Sequence, residues 1–213
     1  MRLEIMPELP AELLDESWDF YQDCFSDLQY LAVNRHLMYR SEFDEVMADR
    51  RIGKYVALDD EDGAVIGMGT LTNDLESIPL ISAEYFRYHF PEMYEQRRLF
   101  YCLFAGSALG HRGQGVFVAL QRAMYAPIGD VDGKVFFDIC SYNEERHQLP
   151  RMIAVILSRA AEAGRAQPTR LDAQSFWMYE FPKSDAPFRR EERRSGFNRG
   201  RPDGGDDRRG SRV

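Results

Sequence analysis

The stretch "ALGHRGQGVFVALQRAMY", residues 108–125, has the residue types and spacing of an anion-binding turn. Gly110, Gly113 and Gly115 surround His111, Arg112 and Gln114, and an apolar, helix-like run starts at Val116. A helix that opens on a glycine turn presents main-chain N–H groups with no partner inside the helix, together with about half a positive charge from the helix dipole. Glycine lets the backbone curl around a guest and approach it closely, and Arg112 adds a charge. The natural guest is a phosphate or pyrophosphate. Neither GxxxxGK[ST] nor GxGxxG is present, which removes the P-loop and the dinucleotide fingerprint. Metal chemistry has no support either. Cys24, Cys102 and Cys140 lack CxxC spacing and read as inert thiols, and His36, His89, His111 and His147 are scattered.

A strand, then "xxRGxG", then an apolar helix resembles the pyrophosphate loop of the GNAT superfamily of acyl-CoA-dependent N-acyltransferases, usually written Q/R-x-x-G-x-G/A. The corresponding residues are Gly110, His111, Arg112, Gly113, Gln114 and Gly115, with Gly110 in place of the usual Gln or Arg. The resemblance spans residues 2–181. It implies a mixed, mostly antiparallel twisted sheet flanked by helices, with a splayed central pair of parallel strands. It also implies that the diphosphate of acetyl-CoA, or of another acyl-CoA, rests on the main-chain N–H groups of His111 through Val116. Leu109 precedes that loop. Pantetheine would lie beside Phe104–Ser107, where Gly106 and Ser107 are small. Asn143 matches a cofactor-contacting asparagine of the family, and it reads equally as a helix N-cap.

The reaction implied is attack of a neutral amine on a thioester carbonyl. The family often places a glutamate on the strand before the loop and a tyrosine on the helix after the following strand. Here the corresponding strand face carries Leu103, Tyr101 and Leu99, with no carboxylate before Glu95, and "PRMIAVILSRAAEAG" has no tyrosine. Tyr101 is the candidate catalytic residue, its phenol either orienting a water or packing in the core. Glu84 and Tyr85, or a residue of the early helices, are further candidates for the base, whereas Glu144 and Glu145 read as solvated.

The elements that must hold these residues follow an α/β order. "RLEIM" predicts a strand. "AELLDESWDFYQDCFSDLQ" places Leu13, Leu14, Trp18, Tyr21 and Phe25 at helical spacing. "SEFDEVMADR" predicts a helix capped by Ser41. Lys54–Leu58 and Ala64–Leu71 flank "DDEDG" and predict a β-hairpin, in which Gly67 and Gly69 imply a bulge or the close approach of another group. The aromatic segment 82–96 predicts a helix from Ser82 interrupted by Pro91, either packed on the core or lining a substrate channel. "RRLFYCLFAGSAL" predicts one buried central strand, and the loop then leads into a helix from Val116 that ends near Pro127 and Gly129. "GKVFFDICSY" predicts a strand. "NEERHQLPRMIAVILSRAAEAG" predicts a helix disturbed by Pro150 and closed by Gly164, and "TRLDAQSFWMYEF" predicts one or two strands.

The 213 residues suit one domain, 1–181, with an appendage. Residues 183–213 hold 10 basic and 6 acidic residues, which leaves 17 basic against 29 acidic in the body, a net of −12. An acidic body argues against nucleic-acid binding. The tail 182–213 reads as disordered and solubilising, with RNA contact as the weaker alternative. No signal peptide or membrane span is recognisable, so a cytoplasmic protein is expected. The expected acceptor is a small-molecule or peptide amine. Alternatives are long-chain acyl transfer, with acyl carrier protein as a possible donor, and a non-catalytic CoA-binding module. A homodimer is a further expectation.

Overall fold

Apolar runs and helical spacing set the first half of the chain. The computed structural model describes residues 1–79, 81–111, 115–160 and 166–180. Strand β1 (Arg2–Met6) leads through Pro7 and Pro10 into α1 (Ala11–Phe25), whose inward face carries Ser17, Phe20 and Tyr21. A single turn, α2 (Leu28–Leu31), and a loop precede α3 (Arg40–Ala48). Tyr39, not Ser41, caps α3, because Glu42 reaches back to the Tyr39 N–H at 2.8 Å and closes a capping box. The hairpin forms as expected, β2 (Gly53–Leu58) against β3 (Val65–Leu71), with Gly63 at φ +78° in the turn.

After a 3-10 turn at Leu75–Ser77, the aromatic segment makes α4 (Ala83–His89), capped by the Ser82 hydroxyl, and α5 (Pro91–Glu95). Pro91 interrupts one helix and begins the next, at the position where its missing N–H costs nothing. The segment packs on the core. Phe86 is buried, with its ring 4.7 Å from that of Phe136.

The expected single central strand is two short ones, β4 (Leu99–Tyr101) and β5 (Ala105–Ser107). A 3-10 turn at Leu109–His111 leads toward α6 (Val116–Gly129), and β6 (Lys134–Phe136), α7 (Ser141–His147) and α8 (Leu149–Ala160) follow. Gln148, at φ +51°, divides α7 from α8, which places Pro150 harmlessly in the first turn of α8. The expected closing strands are absent among the described residues 166–180, and Trp177, Met178 and Tyr179 are exposed with no ladder partner. Gly164 and the tail 182–213 lie outside the described residues. Met1–Gln174 forms one compact unit and Ser175–Val213 a second.

The sheet order is β1-β2-β3-β5, antiparallel throughout, and β4 pairs in parallel with β6. One face of the larger sheet carries α1 and α3, where Tyr21, Phe43 and Phe104 pack at tilted and edge-on angles around Val56 and Met68. The other carries α6, whose Leu120, Met124 and Ile128 meet Tyr55, Leu71 and Phe100. Gly67 and Gly69 exist for that helix. A Cβ on them would lie 2.7 Å from Val116 Cγ1 and 2.8 Å from Met124 Sδ. The register also shifts at Ala57/Leu58. Lys54 is fully buried, and its Nζ donates to the carbonyls of Pro7 (2.9 Å), Asp49 (2.5 Å) and Ile52 (2.7 Å). It ties the ends of three segments together at one point.

Candidate functional site

The strand segment 99–107 changes partner midway. In β4 it runs parallel to β6, with Leu99, Phe100 and Tyr101 opposite Lys134, Val135 and Phe136. The last rung is the Cys102 N–H to the Phe136 carbonyl, at 3.0 Å. From there it swings to β3, where Phe104 accepts from Thr70 at 3.0 Å and Ala108 donates to Ile66 at 2.9 Å. In an antiparallel ladder alternate residues bond to the same neighbour. Phe104, Gly106 and Ala108 therefore face β3, and the main-chain groups of Ala105 and Ser107 face the opposite edge. The Ser107 carbonyl there takes the Cys24 thiol at 3.6 Å. No described residue bonds the N–H groups of Ala105 and Ser107 or the Ala105 carbonyl. A wedge, whose main-chain donors at Ala105 and Ser107 have no partner among the described residues, thus lies between β5 and the chain beyond β6, as expected of the splayed pair.

The wedge leads toward the glycine turn. Gly115 lies at φ +82°, a conformation that costs other residues about 1–2 kcal/mol, and it starts α6 with no side-chain cap. The first-turn N–H groups of α6 have no partner within the helix itself. Val116 is buried against Gly67 and Ala57 and fixes where the helix begins. The His111 N–H closes its own turn onto the Ala108 carbonyl at 3.0 Å, so this donor of the expected series is already engaged. Leu109 is exposed, and Arg112, Gly113 and Gln114 lie outside the described residues. Gly106 faces α1, where an added Cβ would lie 2.9 Å from Phe25 Cζ; packing against this ring already demands a small residue there. Asn143 sits within the first turn of α7, whose N-cap is Cys140, so the capping reading of Asn143 does not hold.

Tyr101 is buried, and its hydroxyl donates to Asp138 Oδ1 at 2.7 Å. Burial, and then the neighbouring carboxylate, push this phenol well above its ordinary range, so it stays protonated. The other oxygen, Asp138 Oδ2, lies 3.2 Å from His36 Nδ1. The hydrogen bond from His36 holds the Asp138 carboxyl below the usual range, and Tyr101 adds to this. Cys102, next to Tyr101 in sequence, is pushed up to about 12 by burial and remains an inert thiol.

His36 rides on the loop between α2 and α3, and that loop is braced on both sides of it. Arg35 grips Glu42 through both guanidinium ends, Nη2 to Oε1 at 2.7 Å, and also donates to the Leu37 carbonyl at 2.9 Å. The Met38 N–H donates to the Tyr21 hydroxyl at 3.1 Å. Arg35 and the Tyr39 N–H hold Glu42 down at about 2.

Sequence reasoning singled out Tyr101 but weighed His36 only as a metal ligand and passed over Asp138. The signal that could have found Asp138 is a lone carboxylate in the apolar run "VFFDIC". The other candidates are engaged or packed: Glu84 pairs with Arg87, and Tyr85 meets Phe86 edge-on and His89 at a tilt, while Glu144, read as solvated, pairs with Arg170. No group of three or more metal-ligating side chains occurs among the described residues, and no described helix is long and apolar enough to cross a membrane.

No protein-family model matches the chain, and no curated protein does. Among solved structures, it is similar to the tetramutant of the BH1408 protein from Bacillus halodurans, at 10% identity and a TM-score of 0.49, over 84% of this chain and 100% of that one. It is similar to an aminoglycoside antibiotic 6'-N-acetyltransferase from Acinetobacter haemolyticus, at 12% identity and a TM-score of 0.47, over 83% and 99%. A third is ribosomal-protein-alanine N-acetyltransferase from Brucella melitensis biovar Abortus 2308, at 15% identity and a TM-score of 0.46, over 84% and 100%.

Proposed function

We propose that the chain is an acyl-CoA-dependent N-acyltransferase of the GNAT type, which moves an acetyl or other acyl group to a primary amine. The observation that carries this reading is the wedge: a strand leaves its parallel partner after Cys102, turns the main-chain donors of Ala105 and Ser107 away from β3, and is followed by the glycine motif and a helix that Gly115 starts with no side-chain cap. These residues fit coenzyme A. An extended pantetheine arm carries amides that pair with strand edges, and a diphosphate is the guest an open helix start favours.

Ala105 and Ser107 would hold the arm. The main chain at Gly115 and Val116 would hold the diphosphate, together with Arg112, Gly113 and Gln114 of the motif, and Asn143 in the first turn of α7 would add a polar contact. Bound there, the acyl donor supplies an activated thioester carbonyl. The chain's own contribution is to align that carbonyl and to present an acceptor amine that has lost its proton. The acidic body of the protein favours approach of cationic amines.

Thiol release from acetyl-CoA, measured with a polyamine, an aminoglycoside and a peptide with a free N-terminus, tests the reading. Release that depends on one amine class supports it, and mass spectrometry of the product fixes the acyl group. Saturable CoA binding without release from any amine would replace it with a non-catalytic binding module.

A further inference from the structure

Three polar side chains from three separate segments meet where β4 and β6 part. Tyr101 ends β4, Asp138 lies two residues beyond β6, and His36 comes from the loop before α3. Packing alone asks for no such set: a phenylalanine would fill the place of Tyr101 without demanding a partner. The two oxygens of Asp138 are divided, one to a buried phenol that cannot turn away and the other to an imidazole. A carboxylate 3.2 Å from Nδ1 favours the tautomer that carries its hydrogen there, and in that tautomer Nε2 has the lone pair. No described residue hydrogen-bonds His36 Nε2.

The geometry points to His36 as the group that takes a proton from the incoming ammonium, with Asp138 and Tyr101 as positioning residues. This rests on the acyl-transfer reading. His36 Nε2 accepts one proton from the ammonium, and the freed nitrogen lone pair forms the N–C bond to the acyl carbon as the C–S bond breaks. The proton that nitrogen sheds on bond formation leaves on the thiol sulfur, and His36 returns its own proton to solvent. No other reactant is needed.

The test uses the full chain and the variants His36→Ala, His36→Gln, Asp138→Asn and Tyr101→Phe, with acetyl-CoA, the amine panel and CoA calorimetry. The expected result for His36→Ala is a fall in kcat of at least about 100-fold with CoA affinity unchanged, and partial rescue by added imidazole. Asp138→Asn added to His36→Ala costs nothing more. In proton NMR a downfield Nδ1–H resonance is present in the wild type and lost in Asp138→Asn and both His36 variants. His36→Gln, which keeps a polar group on the loop, shows the same kcat loss without the imidazole rescue.

A kcat within a few-fold of wild type in the His36 variants, additive losses in the double variant, or a missing downfield resonance would overturn the assignment. CoA binding without thiol release from any amine, or no CoA binding at all, in the wild type would instead overturn the acyl-transfer reading beneath it.

Discussion

Replacing Gly67 by alanine tests whether the start of α6 is placed by the bare surface of β3. The new Cβ would lie 2.7 Å from Val116 Cγ1 and 3.3 Å from Ala57 Cβ. Val116 is β-branched and sits in the first turn of α6, so its methyl cannot swing aside without moving the helix. Ordinary contact requires it to retreat by most of an ångström. Overpacking of this kind costs about 1–3 kcal/mol, and loss of glycine from a strand returns roughly 0.5–1 kcal/mol. The expected net cost is about 1–2 kcal/mol, a fall in melting temperature of roughly 2–8 °C. Urea and thermal unfolding measure it, and calorimetry should show weaker CoA binding, because Gly115 and Val116 move with the helix. Adding Val116→Ala removes the clashing methyl and should recover part of the stability. Gly69→Ala should be milder, since its nearest neighbour is the flexible end of Met124. If Gly67→Ala leaves both unfolding and CoA affinity unchanged, or if Val116→Ala makes matters worse by the full cost of a core truncation, the reasoning fails.

Lys54→Met strips the donor from the carbonyls of Pro7, Asp49 and Ile52, and should destabilise the fold by about 3 kcal/mol or more in urea unfolding. Glu42 is held at about 2 in the folded protein against an ordinary 4.5, so its contribution to stability is complete above pH 4.5 and is lost as pH falls through 2. Glu42→Gln should therefore be less stable than wild type at neutral pH, and the difference in urea midpoint should close at the acid end of that window. Gly115→Ala places a side chain at φ +82°, costing about 1–2 kcal/mol, and should weaken CoA binding more than a core variant of equal instability such as Ile52→Val.

The hairpin was legible because two apolar runs flank "DDEDG", and the start of α6 because glycines precede an apolar, helix-like run. The partner change between β4 and β5 was not. Leu99 to Ser107 is apolar or small throughout, and the break after Cys102 is decided by Phe136 and Thr70, both distant in the chain. Gly67 and Gly69 announced a close approach, but nothing local named α6 as the approaching group. The α3 cap escaped because the Glu42 side chain, not a hydroxyl at the helix start, does the capping. His36 and Asp138 lie far apart in sequence, and only the pairing of β4 with β6 brings Asp138 to Tyr101 and the braced loop. Spacing rules read local periodicity, and this site is built from contacts that have none.

The central claim is that the outward N–H groups of β5 receive coenzyme A, and Ser107→Pro tests it most directly. Proline removes the Ser107 N–H, which points away from β3, and an edge strand tolerates that loss with its ladder to β3 intact. Calorimetric titration of CoA into the full chain should show saturable binding, and Ser107→Pro should weaken it by about 5–10-fold, the value of one hydrogen bond, while the protein stays folded. No binding by the wild type, or equal affinity in wild type and Ser107→Pro, would contradict the account.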